Sequence, residues 1–128
     1  MPSNTFHFIG GTVGGGFGGK VDTLTEPLCI LGAMARLARC PNIVSKLSGL
    51  GTFIHRNDAA HIAAVLDDTV AIFGAERCLF GSNFPIEKLW TSYRGLIDAY
   101  RAATARLRPE QREAIFAGTA RRVYRLGP

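Results

Sequence analysis

Two short apolar runs, "NIVSKLSGL" at 42–50 and "RCLFG" at 77–81, constrain this chain more than any other feature. Each is strand-length, and each breaks off at small or polar residues, Ser48-Gly49 in the first and Gly81-Ser82 in the second. Between them Ile62, Val65, Leu66, Val70 and Phe73 recur at helical spacing. Asn57 and Asp58 are suited to cap the start of that helix, and Gly74 is suited to end it. Strand, amphipathic helix, strand is the pattern of a parallel βαβ unit.

The flanking segments extend the alternation. Pro27 to Arg39 reads as a helix with Leu28, Leu31, Ala35 and Ala38 on one face, stopped by Cys40-Pro41. A helix starting near Thr91 carries Tyr93, Leu96, Ile97, Tyr100 and Leu107 on one side. Pro109 and Glu110 open a last helical segment, whose Ile115, Phe116, Val123 and Tyr124 are expected to face the core. A further strand is expected at Thr5–Ile9. Chemistry in parallel α/β folds gathers at the carboxyl ends of strands, where loops converge. That rule places the segments Ser48–Arg56 and Ser82–Trp90 together on one active face.

With 128 residues, 47% hydrophobic and 20% charged, the chain suits one globular domain over 1–128 rather than two or a disordered segment. No run is long and apolar enough to cross a bilayer and no tripartite leader opens the chain, so no membrane association is expected and a soluble, cytoplasmic protein is. Cys29, Cys40 and Cys78 form no C-x-x-C pair and read as free thiols of a reducing compartment. The net charge of +5 belongs to residues 94–128, which hold eight arginines against three carboxylates. Exposed aromatics and glycines of an RNA-binding segment are not interleaved with these arginines. A solvated or partner-facing helical surface is therefore expected, and nucleic acid is not.

The glycine-rich stretch "GGTVGGGFGGK" at 10–20 invites a phosphate-loop reading that fails on detail. Val21 stands where a P-loop needs Ser or Thr, and no helix start abuts the glycines threaded as G-x-G-x-x-G. Residues 10–26 are read as a glycine-rich loop.

Taken together, "CPNIVSKLSGLGTF", "ERCLFGSNFPIEKLW" and "IFAGTARRVYRL" resemble, in this order and spacing, the amidohydrolase-related family of TIM-barrel, metal-dependent hydrolases. The likeness lies with its lactonase-like branch and covers about residues 38–128. It implies the C-terminal part of a (β/α)8 barrel: the last strands, parallel, and the closing helices. A whole barrel takes about 250 residues, so this chain holds only some of its strand–helix units. A truncated gene, an incomplete reading frame, a homo-oligomer or a completing chain would each account for the remainder.

The resemblance further implies hydrolysis of a lactone or related carbonyl substrate by activated water, commonly with a divalent metal such as zinc or manganese. In most of the family the last-strand motif reads G-S-D, an aromatic, then Pro, and its acid takes the proton. Here Asn83 holds that position; an amide cannot act as a base but can orient substrate or water. Asn83 is accordingly the catalytic candidate, with Ser82, His55 and Trp90 as substrate-binding candidates. The family's H-x-H metal pair does not occur in this chain. His7, in "NTFHFIGG", lacks the glycine of the family's H-x-G and is a metal candidate with no motif behind it. The alternative is a non-catalytic α/β interaction domain that docks through its basic C-terminal helices.

Overall fold

A computed structural model describes residues 25–52 and 54–127. His7, the expected strand at 5–9 and the glycine-rich stretch through residue 24 lie outside the described residues. The order is α1 (Thr25–Leu37), β1 (Ser45–Ser48), α2 (Ala59–Phe73), β2 (Cys78–Gly81), α3 (Tyr93–Ala103), α4 (Pro109–Glu113) and α5 (Thr119–Tyr124). A π-helical turn at Ala114–Gly118 joins α4 to α5. Short 3-10 turns occupy Ala75–Arg77 and Ile86–Leu89.

The fold is mixed α/β, with β1 and β2 pairing in parallel and registering Ser45 with Cys78 and Ser48 with Gly81. Parallel strands need a long crossover, and α2 supplies it. Its Asp58 cap accepts the backbone N–H groups of Ala60 and His61 at 3.0 and 3.1 Å. The His61 N–H is the main reason that the Asp58 carboxyl sits below its ordinary pKa. The cap is thus fully formed at neutral pH, and its contribution fades as pH falls through that depressed value.

One face of the sheet carries the core. Leu47, Cys78 and Phe80 point toward α2, α3 and the π turn, where Ile62, Leu66, Phe73, Leu96, Tyr100 and Ile115 pack. Phe80 meets Tyr100 edge-on at 4.7 Å and Phe116 at 5.5 Å, and the Tyr100 hydroxyl donates to the Leu47 carbonyl at 3.4 Å. Burial raises the Tyr100 hydroxyl pKa and pushes the Cys78 thiol up to about 11, so Cys78 is a core thiol at neutral pH. Alternation turns Lys46, Ser48, Leu79 and Gly81 to the opposite face.

Three expectations shift. β1 starts at Ser45 and not at Ile43, because pairing to Cys78 sets its limit. Tyr93, Val123 and Tyr124, expected on core-facing stripes, are 53%, 40% and 57% exposed. α3 stops at Ala103, where the Thr104 hydroxyl bonds back to Tyr100 and Arg101 carbonyls, and Leu107 packs from the following turn. Much of the basic C-terminal surface is internally engaged. Arg106 pairs with Asp67, Arg121 with Glu113, and Arg122 donates to the Glu76 carbonyl.

Leu66, wholly buried on α2, tests this core. Leu66→Ala is expected to lower unfolding free energy by about 2–5 kcal/mol, read from the urea midpoint. A loss under about 0.5 kcal/mol, the usual surface value, would contradict the packing described.

Candidate active site

Because β1 and β2 are parallel, the segments following them leave from the same end of the sheet. Gly49 turns the chain after β1 with φ +70°, and Asn83 does so after β2 with φ +50°. Asparagine is among the few side chains that tolerate this left-handed region. Ser82 stabilises its own turn, its Oγ accepting the Phe84 N–H at 3.3 Å. The Ile86–Leu89 turn follows, presenting Glu87 one turn beyond Asn83.

Glu87 is the centre of the arrangement. It is 1% exposed, and its oxygens face donors from both loops. Oε1 accepts the Thr52 hydroxyl at 2.9 Å and the Asn83 Nδ2 amide at 3.4 Å; Oε2 accepts Trp90 Nε1 at 2.5 Å. Asn83 Nδ2 also donates to Thr52 Oγ1 at 3.2 Å. A buried carboxylate is costly unless donors surround it, and three side chains do so here.

The close approach depends on glycine. A Cβ on Gly51 would stand 2.7 Å from the Arg56 carbonyl oxygen and 2.9 Å from Glu87 Oε2. A Cβ on Gly49 would stand 3.0 Å from Asn83 Nδ2. Outside this knot, the exposed His55 ring lies 5.5 Å from that of Trp90, tilted by 31°, and Phe84 meets Tyr93 edge-on at 5.3 Å.

The structure therefore gathers Asn83, Trp90 and His55 and leaves Ser82 in a local turn beside them. It adds Glu87 and Thr52, which sequence reasoning missed. The signal for Glu87 was present but faint: an acid four residues after Asn83 and three before Trp90. Among the described residues no group of three or more His, Cys, Asp or Glu is placed to hold a metal ion. Glu87 already spends its oxygens on side-chain donors. The described residues do not fit a metal centre.

The Amidohydrolase family model matches residues 31–126, and the chain belongs to that family. It is 38% identical over 101 residues to an L-fucono-1,5-lactonase of Burkholderia multivorans, covering 73% of this chain and 34% of that protein. It is 35% identical over 94 residues to the uncharacterized protein y4mH of Sinorhizobium fredii, covering 73% and 32%. A crystal structure of a Burkholderia multivorans amidohydrolase with bound zinc superposes with TM-score 0.70 at 34% identity, over 80% of this chain and 39% of that one. Another, with bound HEPES, gives 0.67 at 36% identity, over 76% and 36%. The chain thus spans about a third of the length of the curated relatives it matches.

Trp90 is the sole tryptophan, so fluorescence reports on the Glu87 knot directly. Glu87→Gln turns an amide N–H2 toward groups that can only donate or already do. The expected result is a red-shifted Trp90 emission and a stability loss of about 1–3 kcal/mol. Unchanged emission and stability would show that the carboxylate does not hold the loops.

Proposed function

We propose that this chain supplies the C-terminal strands and closing helices of a barrel-type hydrolase that opens lactones or related cyclic esters. The observation that carries this reading is the knot joining Asn83, Thr52, Glu87 and Trp90 at the carboxyl end of two parallel strands. Membership of the amidohydrolase family and 38% identity to an L-fucono-1,5-lactonase support it. Remaining barrel strands would come from further sequence or from a completing chain.

In this reading Asn83 is a positioning group for water or substrate. Its amide nitrogen is fixed by Thr52 and Glu87, which leaves Oδ1 to accept a hydrogen bond from the attacking water. Trp90 and His55 form an aromatic wall suited to the C–H face of a sugar ring, and Ser82 holds the turn that presents Asn83. A zinc ion bound by such an enzyme would lower the pKa of water; the described residues offer it no ligand set.

Hydrolysis of L-fucono-1,5-lactone and other sugar lactones, followed by acid release with and without Zn²⁺, tests the reading. With the remaining barrel strands supplied, the expected result is turnover above the spontaneous rate; none with any lactone would sink the assignment. Asn83→Asp is expected to add a titrating limb to the pH–rate profile, with activity lost as pH falls through the new carboxyl's pKa. That pKa should lie above the ordinary value of about 3.9, because Glu87 stands beside it. A profile identical to wild type would remove residue 83 from the chemistry.

A further inference from the structure

Lys46 lies on the sheet face turned away from the helices, together with Ser48, Leu79 and Gly81. Its register partner is Leu79, yet its stem does not stay there. A Cβ built on Gly81 would fall 2.4 Å from Lys46 Cε and 3.0 Å from Ser48 Oγ. The lysine thus leans two residues forward, across the neighbouring strand, through the space that a side chain at position 81 would fill. Cε is one bond from the ammonium, so the charge is delivered at the end of β2, immediately before Ser82 and Asn83. Lys46 remains exposed, and it forms no ion pair with a described residue.

We propose that Lys46 is a catalytic residue whose ammonium donates to the carbonyl oxygen of a cyclic ester bound against the Asn83 turn. This rests on the lactone-hydrolase reading and deepens it. Water adds to the carbonyl carbon, and the carbonyl oxygen gathers negative charge. When that carbon–oxygen double bond re-forms, the bond to the ring oxygen breaks and the ring oxygen takes up the proton that the added water gives up. The products are a hydroxy acid, ionised at neutral pH, and the proton it releases. A cation beside that oxygen meets more charge in the transition state than in the ester, which is the condition for raising kcat. The same cation pairs with the product carboxylate.

Gly81 follows as a positioning residue. Its missing side chain is what lets the lysine cross, so Gly81→Ala displaces the ammonium without removing it.

Lys46→Met keeps the stem and deletes the charge, Lys46→Arg keeps the charge, and circular dichroism checks the fold of each. With L-fucono-1,5-lactone, Lys46→Met is expected to lose about 10²–10³-fold in kcat. Lys46→Arg should recover part of it, and Gly81→Ala should lose activity with its fold intact. Active wild type with Lys46→Met at the same rate would overturn the role of Lys46 while leaving the hydrolase reading in place. If wild type hydrolyses no lactone, that reading fails, and calorimetric titration with L-fuconate decides the lysine separately. Binding to wild type at least tenfold tighter than to Lys46→Met would uphold an oxyanion-facing cation. Equal binding, or none, would overturn it.

Discussion

The buried carboxylate of Glu87 is the contact on which the strand-end geometry depends. It comes from the turn after β2, but one of its three donors, Thr52, comes from the loop after β1. A carboxylate withdrawn from water loses several kcal/mol of solvation, and it stays buried only while its donors do. The two loops are therefore held against each other by a charge that neither can expose without loss. Gly49 and Gly51 are the steric condition for this, since a side chain at either would push the loops apart.

The sheet beneath has a division of labour between its faces. Leu47, Cys78 and Phe80 lock it to the helices, with Tyr100 meeting both the Phe80 ring and the Leu47 carbonyl. That anchorage fixes where β1 and β2 end, and so where Gly49 and Asn83 turn. The other face, where Leu79 is also buried, carries Lys46 and Ser48 toward the same end. Rigid apolar packing on one side is what allows polar groups on the other to be placed within hydrogen-bonding tolerance.

Much of this was legible in the residues. The helical stripe from Ile62 to Phe73, its Asp58 and Gly74 ends and the run at Cys78–Gly81 all appear where local chemistry puts them. So does the sharing of one face by the two post-strand loops. The misplaced limits have tertiary causes. Ile43 and Val44 have strand character, but only residues opposite Cys78–Gly81 have a partner to pair with. Val123 and Tyr124 have helical spacing, but spacing cannot say whether a surface exists to cover them. Glu87 was only faintly legible, for a deeper reason. An acid in a short turn is normally solvated, and one of the donors that keep it buried, Thr52, lies 35 residues away.

The amide at position 83 is intelligible once Glu87 is in view. A carboxylate at position 83 would place a second acceptor 3.4 Å from Glu87 Oε1, where the amide nitrogen now donates. Two like charges at about 4 Å near a protein surface repel by about 4 kcal/mol. Asparagine replaces that repulsion with hydrogen bonds to Glu87 and to Thr52. Residue 83 and residue 87 are thus one electrostatic choice rather than two: a buried acid at 87 asks for a donor at 83. In this chain the negative charge lies one helical turn beyond the strand tip, sealed beneath the loops. The strand end is left with an amide oxygen and a neighbouring lysine. That arrangement is written in four residues, Lys46, Gly81, Asn83 and Glu87.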